Sequence, residues 1–142
     1  MIKLAKYLAL LLMVLSFAPL AASAADIRDR SNAKIGAINS DGSVHAANNA
    51  RIGKINSDGS VHAGNNARVG RIDSSGTIYA GNGAMVGKID LSNGNVFDRR
   101  NARIGRVDSD GAVYDGRNAK IGSAGGIPRP WAAVFFFFDM FK

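Results

Sequence analysis

A five-residue unit, Asn-Ala-(Lys/Arg)-(Ile/Val)-Gly, begins at Asn32, Asn49, Asn66, Asn101 and Asn118, with a degenerate copy at Gly83. Successive copies therefore stand 17, 17, 17, 18 and 17 residues apart. A module that short cannot enclose its own core. Each strand offers a couple of β-branched side chains, worth roughly 1.5 to 3 kcal/mol each when fully buried, against an ordering cost of about 1 to 2 kcal/mol per residue. The copies must bury surface on one another, as in repeat architectures.

The second copy shows the local geometry. Arg51 to Ile55 and Ser60 to Ala63 read as strands joined by Asn56-Ser57-Asp58-Gly59. Asn first and Gly fourth suit a type I turn closed by a left-handed residue. The same link recurs at 39–42, 73–76 and 108–111, and the fourth copy, 90–94, is one residue longer, which explains the single 18-residue step. This turn sets Ile55 opposite Val61 and Lys54 opposite His62. The other link, Asn48-Asn49 or Asn82-Gly83, reads as a two-residue primed turn, setting Val44 opposite Gly53 and His45 opposite Ile52. One face then carries Val44, Gly53, Ile55 and Val61, the other His45, Ile52, Lys54 and His62.

The expected chain is a continuous antiparallel meander. Ile27 stands where Val44, Val61, Ile78, Val96 and Val113 stand, as an orphan second strand, and Asn118 to Gly122 is an orphan first strand. Their pairing would close the ring and remove both exposed edges.

Composition points the same way. The 142 residues include 17 glycines, no cysteine and 11 acidic residues, all Asp, so turn formers are abundant and the helix former Glu is missing. Residues 1–24 follow the secretory pattern: Lys3 and Lys6, an apolar run from Tyr7 to Leu20, and Ala22-Ser23-Ala24 at a cleavage point. An uncleaved membrane anchor is the alternative. Removal of two lysines takes the net charge from +7 to +5. The expected location is the periplasm or cell envelope, with the extracellular side open.

Tandem Ile-Gly-Lys-Ile-x-x-Asp-Gly-x-Val units behind a leader, ended by residues 127–134 (Ile-Pro-Arg-Pro-Trp-Ala-Ala-Val) and the run Phe135 to Phe138, resemble the five-fold β-flower family of exported bacterial proteins. The resemblance implies an all-β fold in which hairpin repeats over residues 25–124 close into one flower or propeller-like domain. It carries no activity with it. The irregular fourth copy departs from strict symmetry.

Several groups invite a functional role. His45 and His62 share a repeat position with Tyr79, Phe97 and Tyr114, so the slot selects a flat ring, expected to pack across from Ile52 and its equivalents, more readily than a metal ligand. The Asp-rich turns lack the Glu and helices of a calcium loop. Serines sit in turns without a Cys or Glu near them, so an enzyme is not expected, and neither is a cofactor. Basic residues form two rows, Lys34, Arg51, Arg68, Arg103 and Lys120 before the Ile/Val and Lys54, Arg71, Lys88 and Arg106 after the Gly, as candidates for a polyanion such as lipopolysaccharide, an acidic glycan or DNA. Nucleic acid is the weaker partner class. A solvated surface is the plainer reading of both rows.

Trp131 to Phe141 follows Gly125-Gly126 and two prolines, and is about half the length of a membrane-spanning helix. It reads as a plug or lid covering the apolar face of the ring, or as a docking segment for an envelope protein, glycan or membrane. Periodicity does not separate helix from strand for four consecutive Phe. The expected function is that of an exported, non-catalytic structural or interaction module, with glycan or polyanion binding as the alternative.

Overall fold

Twelve strands follow one another and close into a single antiparallel barrel, seen in a computed structural model that describes residues 24–141. The secretory segment expected over residues 1–24 lies outside them, apart from Ala24. The strands are β1 (Ala24–Asp29), β2 (Lys34–Asn39), β3 (Ser43–Ala46), β4 (Arg51–Ile55), β5 (Ser60–Ala63), β6 (Arg68–Ile72), β7 (Thr77–Ala80), β8 (Met85–Ile89), β9 (Asn95–Asp98), β10 (Arg103–Val107), β11 (Ala112–Asp115) and β12 (Lys120–Ser123). Each pairs with its sequence neighbours, and β1 pairs with β12 through Arg28 opposite Ser123 and Asp29 opposite Gly122. The two orphan strands seal the ring. Five hairpins are thus covalent, and β12 with β1 makes a sixth sector that has no turn.

The first kind of turn forms as expected. Ile55 lies opposite Val61 and Lys54 opposite His62. Gly59 has φ 90°, and its N–H donates to the Asn56 carbonyl at 3.0 Å. The second kind differs from the two-residue primed turn. Only Asn49 has positive φ, its N–H donates to the Ala46 carbonyl at 3.0 Å, and Ala46 N–H donates to the Ala50 carbonyl at 2.9 Å. That is a three-residue loop of the same class as the first, with Asn in place of Gly in the left-handed position. The Asn48 carboxamide oxygen accepts from Ala50 N–H at 3.1 Å and supplies the local support.

The extra loop residue is offset by a bulge. His45 faces Arg51 rather than Ile52, the register shifts between Val44 and His45, and Val44 still meets Gly53. Ile52 is the unpaired residue. The two departures cancel, so the expected inward set of Val44, Gly53, Ile55 and Val61 is buried.

Inside lie two rings of aliphatic side chains. Ile27, Val44, Val61, Ile78, Val96 and Val113 form one, and Ile38, Ile55, Ile72, Ile89, Val107 and Ala124 the other. The third inward position of every sector is glycine, on strands β2, β4, β6, β8, β10 and β12, and the tail fills it. Helix α1 (Arg129–Phe137) starts after Pro128, carries Pro130 in its first turn and buries Ala132, Ala133 and Val134. A Cβ on Gly36, Gly122, Gly105 or Gly87 would run into the ring of Phe135, Phe136, Phe137 or Phe138 respectively, and one on Gly70 or Gly53 into Met140 or Phe141. Successive tail side chains therefore go to successive sectors, in order, right round the barrel. A helix used on every side has no apolar stripe, which is why the Phe run shows no period. The Phe-rich segment is a helix whose rings plug the barrel.

Candidate functional site

The two kinds of turn lie at opposite ends of the barrel, and the ends carry opposite charge. Among the glycine turns stand Asp41, Asp58, Asp73, Asp90, Asp108 and Asp110, with Arg129 at the start of α1. Among the asparagine turns and the strand residues beside them stand Arg30, Lys34, Arg51, Arg68, Arg99, Arg100, Arg103, Arg117 and Lys120, against Asp29, Asp98, Asp115 and the exposed tail residue Asp139, and Lys34 lies 3.6 Å from the Asp26 carboxylate. All nine cations except Arg103 are exposed. Sequence reading found the strand members of this set and missed the turn members Arg30, Arg99, Arg100 and Arg117. They occupy loop positions of the asparagine turn, and the repeat period alone was enough to place them there.

The two basic rows do not form one surface. Arg51, Arg68 and Arg103 belong to the asparagine-turn end, where Arg103 also donates to the Asn95 and Asn118 side chains at 3.2 and 2.9 Å. Lys54, Arg71, Lys88 and Arg106 lie on the outer wall, opposite His62, Tyr79, Phe97 and Tyr114. Arg71 sits 4.3 Å from the Tyr79 ring centre, Lys88 5.3 Å from Phe97 and Arg106 4.6 Å from Tyr114. Arg106 also holds Asp108 at 2.6 Å. The flat-ring slot therefore packs on these cations, not on Ile52 and its equivalents: the bulge moves Ile52 out of register. Cations stacked on rings and paired to carboxylates are the less available row.

At the glycine-turn end, Trp131 separates two shallow grooves. One, of about 450 Å³, runs past Ser40, Asp41, Lys54 and Asp58, and the other, of about 250 Å³, past Asn56, Asp58, Asp73 and Pro130. A third, of about 240 Å³, lies between Ala25, Ile38, Ile127 and Trp131, where the missing sixth turn lets the chain pass inward. The turn carboxylates here are held below their ordinary range. The Ser43 amide lowers Asp41, and the hydroxyls of Ser60, Ser75 and Ser92 lower Asp58, Asp73 and Asp90. Hydrogen bonds to the ionised form are the cause. The end stays anionic throughout the neutral range.

The floor of the opposite end is apolar. α1 enters from the glycine-turn end, and the strand glycines that its rings reach lie on the asparagine-turn side of the Ile/Val rings. Phe135, Phe136, Phe137, Phe138 and Phe141 are only partly buried there. Ile35, Ile52, Val69, Val86, Ile104 and Ile121, one from each sector, are likewise half-covered. Met85, in the slot that is basic in the other copies, is 40% exposed. Val86 borders an open groove of about 400 Å³ with Asp98, Arg99 and Arg100. This end combines a cationic collar with a half-open apolar centre.

Among the described residues there is no group of three or more His, Asp or similar ligands placed to hold a metal ion. His45 and His62 sit on separate strands of the outer wall, and His62 Nδ1 lies 3.2 Å from the Asn56 amide. No described helix is long and apolar enough to cross a membrane. The strands, of four to six residues, are about half the length that a bilayer-crossing strand requires.

A family model described as 5-fold beta-flower protein matches residues 24–140. The chain belongs to this family. The match spans the barrel and the plug together, so the β-flower unit includes its C-terminal helix. Neither the curated proteins nor the solved structures contain a match to the chain.

Proposed function

We propose that this β-flower protein is an exported, non-catalytic interaction module of the cell envelope, and that its working face is the asparagine-turn end, which takes a polyanion. The observation that carries this reading is the segregation of charge. Among the described residues, nine cations against four carboxylates at one end of a small barrel make a concentrated positive field, and such a field selects polyanionic partners. Export rests on the leader pattern of residues 1–24, and a periplasmic or outward-facing location follows from it. The absence of Cys suits a folded domain that needs no oxidative step.

Retention on immobilised heparin tests the reading. The protein should be retained at low salt and released steeply as salt rises. Arg51→Ala with Arg68→Ala should weaken retention clearly, and Arg71→Ala with Lys88→Ala only slightly. Equal effects of the two pairs would move the site to the outer wall. No retention at low salt would remove the polyanion reading and leave a purely structural role.

A further inference from the structure

The cationic collar does not surround a polar floor, as a site for a wholly polar polyanion would. It surrounds half-covered phenyl rings, one half-covered Ile or Val from each sector and an exposed carboxylate, Asp139. We propose that the asparagine-turn end docks on an anionic lipid surface, with the arginine collar at the headgroups and the apolar centre against the interface. This rests on the polyanion reading of the same end and names the partner within it.

Three observations carry the inference. Partly exposed apolar surface within a ring of cations gains from both burial and surface potential, the two contributions that hold peripheral proteins on membranes. The collar is broken at Met85, an exposed apolar residue in a basic slot, so the apolar centre reaches the rim beside Arg99 and Arg100. The opposite end is anionic, with the turn carboxylates of Asp58 and Asp73 beside Trp131, and the same surface potential would repel it. The barrel therefore has a single electrostatically favoured orientation on an anionic bilayer.

The only tryptophan, Trp131, marks the end expected to point away from the lipid. The test is co-sedimentation and tryptophan fluorescence with vesicles of phosphatidylcholine alone and of phosphatidylcholine mixed with phosphatidylglycerol, some carrying brominated chains. Binding is expected to the mixed vesicles and not to the neutral ones, with Trp131 emission unquenched by bromolipid. Met85→Trp, an addition at an exposed site, should introduce quenching. Arg99→Glu with Arg100→Glu, on an exposed turn, should lower vesicle partitioning by about tenfold or more without changing the melting temperature.

Heparin retention without vesicle binding would overturn lipid docking and leave the polar polyanion reading in place. Quenching of Trp131 in the unaltered protein would overturn the orientation and assign docking to the acidic end. Failure to bind either heparin or vesicles would remove both readings together.

Discussion

The two ends of the barrel are built from the same three-residue turn, lengthened by one residue at 91–94, and yet use different residues in its left-handed position. At the glycine-turn end that residue is Gly42, Gly59, Gly76, Gly94 or Gly111, with φ between 81 and 92°. At the other end it is Asn32, Asn49, Asn66, Asn101 or Asn118, with φ between 65 and 72°, or Gly83 at 86°. Backbone angle alone does not separate them, since Asn tolerates positive φ. Contact does. The Gly59 carbonyl accepts from Ile72 N–H at 2.8 Å, and a Cβ on Gly59 would fall on the Ile72 carbonyl oxygen, whereas one on Gly83 would meet nothing. The glycine turns are tied into the neighbouring hairpin by a backbone hydrogen bond, whereas the left-handed position of the asparagine-end turn at Gly83 faces open space and the Asn118 side chain is reached by the Arg103 side chain. That freedom lets the second end vary in sequence, and it is the end that gathers arginines.

The contrast can be broken by substitution. Gly59→Ala adds a side chain where the neighbouring backbone already lies, on top of the left-handed cost, and should destabilise by roughly 3 to 4 kcal/mol in urea unfolding. Gly105→Ala, inside the barrel, sets a methyl group against both the Phe137 ring and the Tyr114 carbonyl and should cost roughly 2 kcal/mol or more. Phe137→Leu in the same chain should return part of that loss, because the smaller side chain leaves room for the methyl group. Asn66→Ala keeps the open surroundings but loses the tolerance for positive φ, for about 1 kcal/mol. Gly83→Asn restores the residue found in the other copies and should stay within about 0.5 kcal/mol. If Gly59→Ala and Asn66→Ala cost the same in urea midpoints, the two ends do not differ in the way described.

Much of this architecture was legible in the repeat. Alternation along Arg51 to Ile55 and Ser60 to Ala63 identified the inward row, and the unmatched Ile27 and Asn118 segments identified the seam at which the ring closes. The asparagine turn was misjudged in length because Asn48-Asn49 looks like a pair of positive-φ residues, while only Asn49 takes that conformation. The error left the faces intact because the bulge at Ile52 absorbs one residue. Strand glycines such as Gly53 fall on the inward face by alternation, with no local reason for glycine there. Their purpose depends on Phe141 and the other tail rings, which are distant in sequence, so local pattern could not show it. The charge segregation was half legible: each row of cations was visible, but separating collar from wall required knowing that Arg71, Lys88 and Arg106 stack on rings across the strand.

The account depends most on the tail being the core of the barrel rather than an appendage. Five Phe and Met140 meet the six strand glycines, so removing the tail leaves every sector of the barrel without the side chain that packs on its inward glycine. The direct test is thermal unfolding, followed by far-ultraviolet circular dichroism, of a chain ending at residue 126. The account predicts that this chain shows no cooperative transition. A cooperative melt at the temperature of the full-length protein would contradict it.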